Sequence, residues 1–225
     1  MRVVITGGPS SEPIDKVRVI TNRSTGELAV TLAGCFGRAG HQVTLFLGHG
    51  SVFRQTGAVA FERNEDLDAL LDGVEEPARI DLVLHVAALS DFGVERVSEQ
   101  GVPSTASKIT SAARSVELRL VPKPKLIGKL RRLFPSAFIV GWKLEFDGDR
   151  ADTIAEAKKQ IRENHTDACI LNGPAFGAGF GFCQTEGLTH SVATRQELAE
   201  FLLQFAESLP VRRSVGSEKA GNAEL

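Results

Sequence analysis

Five apolar runs that do not alternate between faces, separated by amphipathic segments, restrict this chain's fold more than any other feature. They are Arg2–Thr6, Gln42–Leu47, Ile80–Leu84 within Arg79–Ala87, Ala137–Val140 and Ala168–Leu171. A strand that is apolar on both faces has to be covered on both, which is the situation of a parallel sheet between two helical layers. Helical stripes fill the intervals. Gly26–Arg38 carries Leu28, Ala29, Leu32, Ala33 and Phe36 on one face and stops at Gly40. Asp66–Leu71, Lys125–Leu133 (ending before Pro135) and Ala151–Asn164 follow, and Arg195–Leu209 starts after Thr194, an N-cap residue type, and ends at Pro210. The order predicts an α/β fold with a doubly wound, mostly parallel, Rossmann-like sheet and ligands at the carboxyl ends of its strands. Two stretches depart from the pattern. Gly93–Val121 is a polar excursion, and Gly173–Thr194, rich in Gly and Phe, reads as a loop followed by a C-terminal β-hairpin. Residues 1–209 are expected to form one domain, and the Gly-, Ser- and charge-rich residues 210–225 a disordered tail.

Composition removes several classes. The 225 residues are 42% hydrophobic and 24% charged, with a formal net charge of −2. A general nucleic-acid or membrane-surface binder needs a basic excess that is absent here. No apolar run approaches the roughly 20 residues that span a bilayer, and Met1–Thr6 enters a strand without a cleavable signal pattern. Cys35, Cys169 and Cys183 are odd in number and far apart. They read as reduced, mostly buried thiols of a cytoplasmic protein, with nothing nearby to activate one as a nucleophile. A chain of this size buries ~70% of its unfolded surface and needs no disulfide or metal staple.

The first βα loop carries the chemistry. Gly7 and Gly8 follow the first strand directly, and glycines there let backbone N–H groups approach a phosphate, although such turns also occur without a ligand. A dinucleotide fingerprint would need GxGxxG opening a helix and an acidic residue ending the second strand. Pro9 and Pro13 delay the helix and the second strand ends Leu45-Phe46-Leu47-Gly48, so NAD is disfavoured. Downstream, Ser24 and Thr25 are N-cap types at a helix start, whose free N–H groups attract anions. Arg18 and Arg23 add fixed positive charge around Asn22, a two-way hydrogen bonder, in a cluster suited to a phosphorylated or carboxylated substrate.

The run Ile5-Thr6-Gly7-Gly8-Pro9-Ser10-Ser11-Glu12-Pro13-Ile14-Asp15-Lys16-Val17-Arg18 through Asn22-Arg23-Ser24-Thr25-Gly26 resembles the opening of the phosphopantothenoylcysteine synthetase family. Looser similarity continues through Ala87-Ala88-Leu89-Ser90-Asp91-Phe92, Ser107-Lys108-Ile109, Val121–Leu126, Val140–Glu145 and Ile170–Gly173. The resemblance implies a stand-alone ligase of coenzyme A biosynthesis that activates the 4′-phosphopantothenate carboxylate with CTP or ATP and Mg²⁺. The amine of cysteine then displaces the nucleoside monophosphate. It also implies a cytoplasmic homodimer whose Gly93–Val121 excursion crosses to the partner's site, with no flavin.

By the same resemblance Asn22, Lys108 and Arg18 are the catalytic set. Asn22 binds the carboxyl and acyl intermediate, Arg18 holds the loop or the phosphate, and Lys108 neutralises phosphoryl charge. Gly7, Gly8, Ala87, Asp91, Lys123, Lys125, Trp142 and Lys159 bind the nucleotide, and Ser24, Thr25 and Gly26 join Asn22 at the acid substrate. The metal ligands are left open. Each residue also has a plainer reading: a turn asparagine, a structural ion pair, a capping aspartate, a core tryptophan, solvated lysines. Thr110 and Ser111 stand where the family often has lysines, and Glu163 where a second helix lysine is expected. Glu163 near a triphosphate would repel it, and Lys123 and Lys125 would restore the missing charge. A divergent or non-catalytic binder of nucleotide or pantothenate-like ligands is therefore the alternative, with a nicotinamide-dependent reductase as a weaker third reading.

Overall fold

The computed structural model describes residues 1–210, so the expectation of a disordered tail falls almost wholly outside the described residues. In chain order the strands are β1 (Arg2–Gly7), β2 (Ser11–Pro13), β3 (Val19–Thr21), β4 (Gln42–Gly48), β5 (Val59–Phe61), β6 (Leu82–His85), β7 (Phe92–Glu99), β8 (Val102–Ser104), β9 (Val116–Pro122), β10 (Phe138–Leu144), β11 (Ala168–Asn172), β12 (Phe180–Gln184) and β13 (Gly187–Val192). The helices are α1 (Glu27–Arg38), α2 (Asn64–Asp72), α3 (Leu130–Leu133), α4 (Arg150–Asn164) and α5 (Arg195–Ser208).

Eight strands form the central sheet in the order β13-β12-β11-β10-β6-β1-β4-β5. β5 through β11 in that row run parallel, and β12 and β13 close the far edge as the expected antiparallel hairpin. The chain winds outward from β1 through β4 to β5, then returns to place β6 on the other side of β1. That reversal opens the crevice where open α/β sheets bind ligands.

The five apolar runs form the heart of the sheet because both faces are covered. α1 and α5 pack on one face around Ile5, Leu84, Val140 and Ile170. α2 and α3 cover the other through Val4, Val83 and Ile139, and α4 continues that layer over Cys169 and Leu171. All three cysteines are buried and unpaired. Gly7 sets the approach of α1 to β1: a Cβ there would lie 2.0 Å from the Ala29 Cβ.

The polar excursion is a separate three-stranded sheet, β8-β7-β9, and β2-β3 form a small hairpin that the sequence shows only as loop. The expected helix over Lys125–Leu133 splits into a 3-10 turn, Leu126–Lys129, and the four-residue α3. Ser24 and Thr25 do not cap α1. Gly26 occupies the N-cap with a left-handed φ of 78°, and Thr25 Oγ1 accepts the Glu27 N–H at 3.3 Å. Thr194 caps α5 as expected, accepting the Glu197 N–H at 3.1 Å.

Candidate functional site

The loops leaving β1 and β6 are stitched together across the crevice. Ser10 N–H donates to the Ala88 carbonyl at 3.2 Å, and Ser90 N–H donates to Ser10 Oγ at 2.9 Å. From α2, the buried Asn64 grips Ser90 at both ends, donating to its carbonyl at 2.8 Å and accepting its N–H at 3.3 Å. Asn22, on the segment after β3, donates through Nδ2 to the carbonyls of Ala88 at 3.2 Å and Leu89 at 2.9 Å. Both of its amide protons are thus directed at main-chain oxygens. Its Oδ1 has no protein partner among the described residues, and the side chain is exposed, lining neither of the two cavities that open nearby.

Two cavities open at this edge, one on each face of the sheet. The α1-face cavity, about 300 Å³, is lined by Gly8, Arg23, Ser24, Thr25, Gly26 and Glu27, with Asn172 and Arg195 opposite. Gly8 takes a φ of 73°, and a Cβ there would lie 2.0 Å from Ser51 Oγ, so only glycine lets the turn close. The N-terminus of α1 lies on this side, its Glu27 N–H already donated to Thr25 Oγ1. The α4-face cavity, about 270 Å³, is lined by Asn64, His85, Ala87, Asp91, Lys125, Lys143 and Gln160 among others. Trp142 reaches both cavities, and its buried Nε1–H has no hydrogen-bond partner among the described residues.

Electrostatics differ between the two. In the α4-face cavity burial is the largest influence on Lys143 and opposes its charge, but the Glu145 carboxylate 3.0 Å away together with Glu156 lifts the ammonium above its usual pKa. Glu156 stands 3.8 Å away on α4, and Lys125 lies 3.8 Å from Asp91 at the exposed rim. Burial pushes the His85 imidazole down to about 4, so it is neutral at physiological pH.

Several expected residues lie elsewhere. Gly7 is a packing residue under α1 rather than a cavity wall. Lys123 lines neither cavity: its ammonium is held by Glu12 and Glu65, with only 11% of the side chain exposed, so it does not supply the missing phosphate charge. Lys159 is exposed beside Glu156 at 3.9 Å, and neither Lys159 nor Glu163 lines a cavity. Lys108 is exposed on a loop that lines neither cavity but is latched from below. Ile109 N–H donates to Asp15 Oδ2 at 3.0 Å, and Arg18 Nη1 donates to Asp15 at 2.5 Å and to the Ile109 carbonyl at 3.3 Å. Arg18 therefore holds the Lys108 loop.

Sequence reasoning missed His85, Asn64, Lys143, Gln160 and Arg195, each delivered by a different element. Only the placement of His85 and Lys143 at or just past the carboxyl ends of apolar runs hinted at them.

Residues 1–204 match the family described as DNA/pantothenate metabolism flavoprotein C-terminal domain. The coenzyme A biosynthesis bifunctional protein CoaBC of Thermococcus kodakarensis is 31% identical over 185 residues, covering 79% of this chain and 42% of that protein. Its counterpart in Methanocaldococcus jannaschii is 30% identical over 174 residues, 76% of this chain and 40% of that protein. The chain thus spans about two fifths of these relatives. The crystal structure of a DNA/pantothenate metabolism flavoprotein from Streptococcus pneumoniae superposes with a TM-score of 0.79 at 25% identity, covering 92% of this chain and 98% of that one. Sequence match and superposition agree over almost the whole described chain, which belongs to the DNA/pantothenate metabolism flavoprotein C-terminal domain family.

Proposed function

We propose that this chain joins 4′-phosphopantothenate to cysteine through an acyl-nucleotide made from CTP or ATP. The observation that carries the reading is the pair of cavities on opposite faces of the sheet, meeting at Ala87–Ala88 where Asn22 is anchored. Two reactants approaching from opposite faces meet there, and the coenzyme A biosynthesis proteins among the relatives supply the substrate class.

The nucleotide's phosphates belong on the α1 face. Glycine backbone, the α1 N-terminus and Arg23 favour anions there, and Arg195 stands 3.5 Å from the Glu27 carboxylate on the same wall. The nucleoside takes the α4-face cavity, with Ala87, Asp91, Lys125 and Trp142 as its contacts, and the acid lies beside Asn22, Ser24, Thr25 and Gly26. An oxygen of its carboxylate attacks the α-phosphorus and pyrophosphate leaves. The cysteine amine then attacks the acyl carbon, and the C–O bond to the nucleoside monophosphate breaks. In this sequence Asn22 Oδ1 accepts from the incoming amine, while its Nδ2 trades a main-chain carbonyl for the acyl oxygen as charge develops. Lys108 neutralises phosphate in the assembled homodimer, carried there by the excursion.

Among the described residues no cluster of three or more His, Cys, Asp or Glu stands ready for a metal. Mg²⁺ needs few protein ligands when phosphates supply the rest, and Glu27 with the Ser24 and Thr25 hydroxyls offers hard oxygen donors of that kind. Bound there, it would neutralise phosphate charge.

Protein mixed with phosphopantothenate, cysteine, Mg²⁺ and either CTP or ATP is expected to release pyrophosphate and form the amide. Silence with both nucleotides from folded protein overturns the ligase reading. The commitment of Lys123 to Glu12 and Glu65 favours one alternative, a binding relative without turnover. Nucleotide-dependent thermal stabilisation without pyrophosphate release would establish it.

A further inference from the structure

Along one face of the sheet, the residues in register change character at the level of the α4-face cavity. One layer down, β1, β6 and β10 present Val4, Val83 and Ile139 to the helices. Two residues on, the row reads Thr6, His85, Gly141, Cys169 and Cys183 across five strands. Gly141 is the gap in that row, and α4 fills it. A Cβ at Gly141 would lie 2.4 Å from Gln160 Nε2, so the Gln160 carboxamide rests on bare backbone and lines the cavity from there.

Which way that carboxamide is turned follows from Cys169, the strand neighbour of Gly141. Burial pushes the Cys169 thiol far above its usual pKa, so it stays protonated. Its S–H donates to the Ile170 carbonyl at 3.6 Å, which leaves the sulfur as an acceptor, and Gln160 Nε2 donates to it at 3.5 Å. Gln160 Oε1 therefore faces away from the sulfur and has no protein partner among the described residues. Little net charge surrounds it. His85 is neutral and tied through Nδ1 to Thr6 Oγ1 at 2.9 Å, and Asn64 is engaged at both polar atoms by Ser90. Lys143 is answered by Glu145, and Lys125 by Asp91 at the exposed rim. Such surroundings accommodate an uncharged heterocycle and offer no excess cation to a phosphate.

We infer that Gln160 reads the nucleobase, its Oε1 accepting the exocyclic amine of cytosine or adenine, with Cys169 as the positioning residue that keeps that oxygen forward. Uracil and guanine carry a carbonyl oxygen at the corresponding position, which would meet Oε1 acceptor to acceptor. To receive either keto base the carboxamide has to turn over and give up the sulfur. The site thus sorts bases by amine against carbonyl. This rests on the placement of the nucleoside in the α4-face cavity proposed above.

Dissociation constants for CTP, UTP, ATP and GTP with Mg²⁺, measured by calorimetry on the full chain, test this without turnover. The wild type is expected to bind CTP about tenfold more tightly than UTP, and ATP about tenfold more tightly than GTP. Gln160→Leu should bring both ratios to within about twofold of one. Gln160→Glu, whose two oxygens both accept, should keep the ratios while its charge weakens all four nucleotides alike. Cys169→Ala leaves Gln160 in place but free to turn, so both ratios should fall several-fold with CTP affinity nearly unchanged. Cys169→Ser restores an acceptor and should recover them. A purely structural Cys169 would move all four affinities together and leave the ratios alone. Ratios near one in the wild type, or ratios unchanged in Gln160→Leu, overturn the proposal. Protein that binds no nucleotide rejects the placement of the nucleoside and this role with it. Protein that binds with the expected ratios yet releases no pyrophosphate keeps the role and rejects only the ligase.

Discussion

Asn22 and Leu89 meet at 2.9 Å, carboxamide nitrogen to main-chain oxygen, and that bond ties the segment after β3 to the loop after β6. Asn22→Asp replaces a donor with an anion facing two carbonyl oxygens and the incoming carboxylate. The variant is expected to unfold about 1–2 kcal/mol more easily and to release pyrophosphate at least about a hundredfold more slowly. Denaturant midpoints and a pyrophosphate assay check both, and a variant with wild-type turnover removes Asn22 from the chemistry.

Asp15 is the hub of the Lys108-loop latch. The Ile109 N–H is the main cause that holds its carboxyl at about 2 rather than 3.8; burial opposes this, and the Val17 and Arg18 amides and the Arg18 guanidinium add to the lowering. A depressed folded-state pKa gives stability that is fully present above the unfolded value and is lost as pH falls toward the folded one. The stability gap between wild type and Asp15→Asn should therefore be constant at neutral pH and shrink between about pH 4 and 2. Urea midpoints measured across that range test it, and a gap that persists at pH 2 contradicts the latch.

Gly8 and Ser51 share too little space for a Cβ. Gly8→Ala is expected to lower stability through both the positive φ, about 1 kcal/mol, and the collision with Ser51 Oγ. Adding Ser51→Ala should return part of the loss, and thermal midpoints of the two single variants and the double variant reveal the coupling. Strict additivity would place the strain elsewhere.

Lys123 and Lys125 are two residues apart and are expected to behave oppositely. Removing Lys123 leaves the buried Glu12 without its partner, so Lys123→Ala should cost about 3 kcal/mol or more of stability. Lys125 is 72% exposed, and Lys125→Ala should leave the melting temperature nearly unchanged while raising the KM for the nucleotide several-fold. Melting curves and steady-state kinetics on the same pair distinguish the two lysines.

The central strands are legible in the sequence because a strand buried on both faces leaves an unbroken apolar run, and β1, β4, β6, β10 and β11 all do. β5, β2 and β3 are three residues each, too short to display any period. The helix expected over Lys125–Leu133 contains Gly128 and sits between Pro124 and Pro135, and the chain resolves the conflict by tightening into a 3-10 turn. At the site, the loop motif from Gly7 to Gly26 is contiguous and could be read directly. The α4-face cavity could not, because His85, Asn64, Lys143 and Gln160 converge from four elements and no local spacing links them. Lys123 misled for a related reason. A lysine beside Pro122 and Pro124 looks solvated until Glu12 and Glu65 arrive from distant segments.

With a β-sheet as the party wall between its two chambers, the fold lets most of each be remodelled alone, Trp142 and Leu144 being the lining they share. Under the proposed ligase reading, a lineage exchanges one nucleoside for another by editing β6, β10 and α4, or admits a different carboxylic acid by editing residues around α1. The two preferences need not drift together, and chimeras that swap one face at a time between relatives should inherit one preference and keep the other.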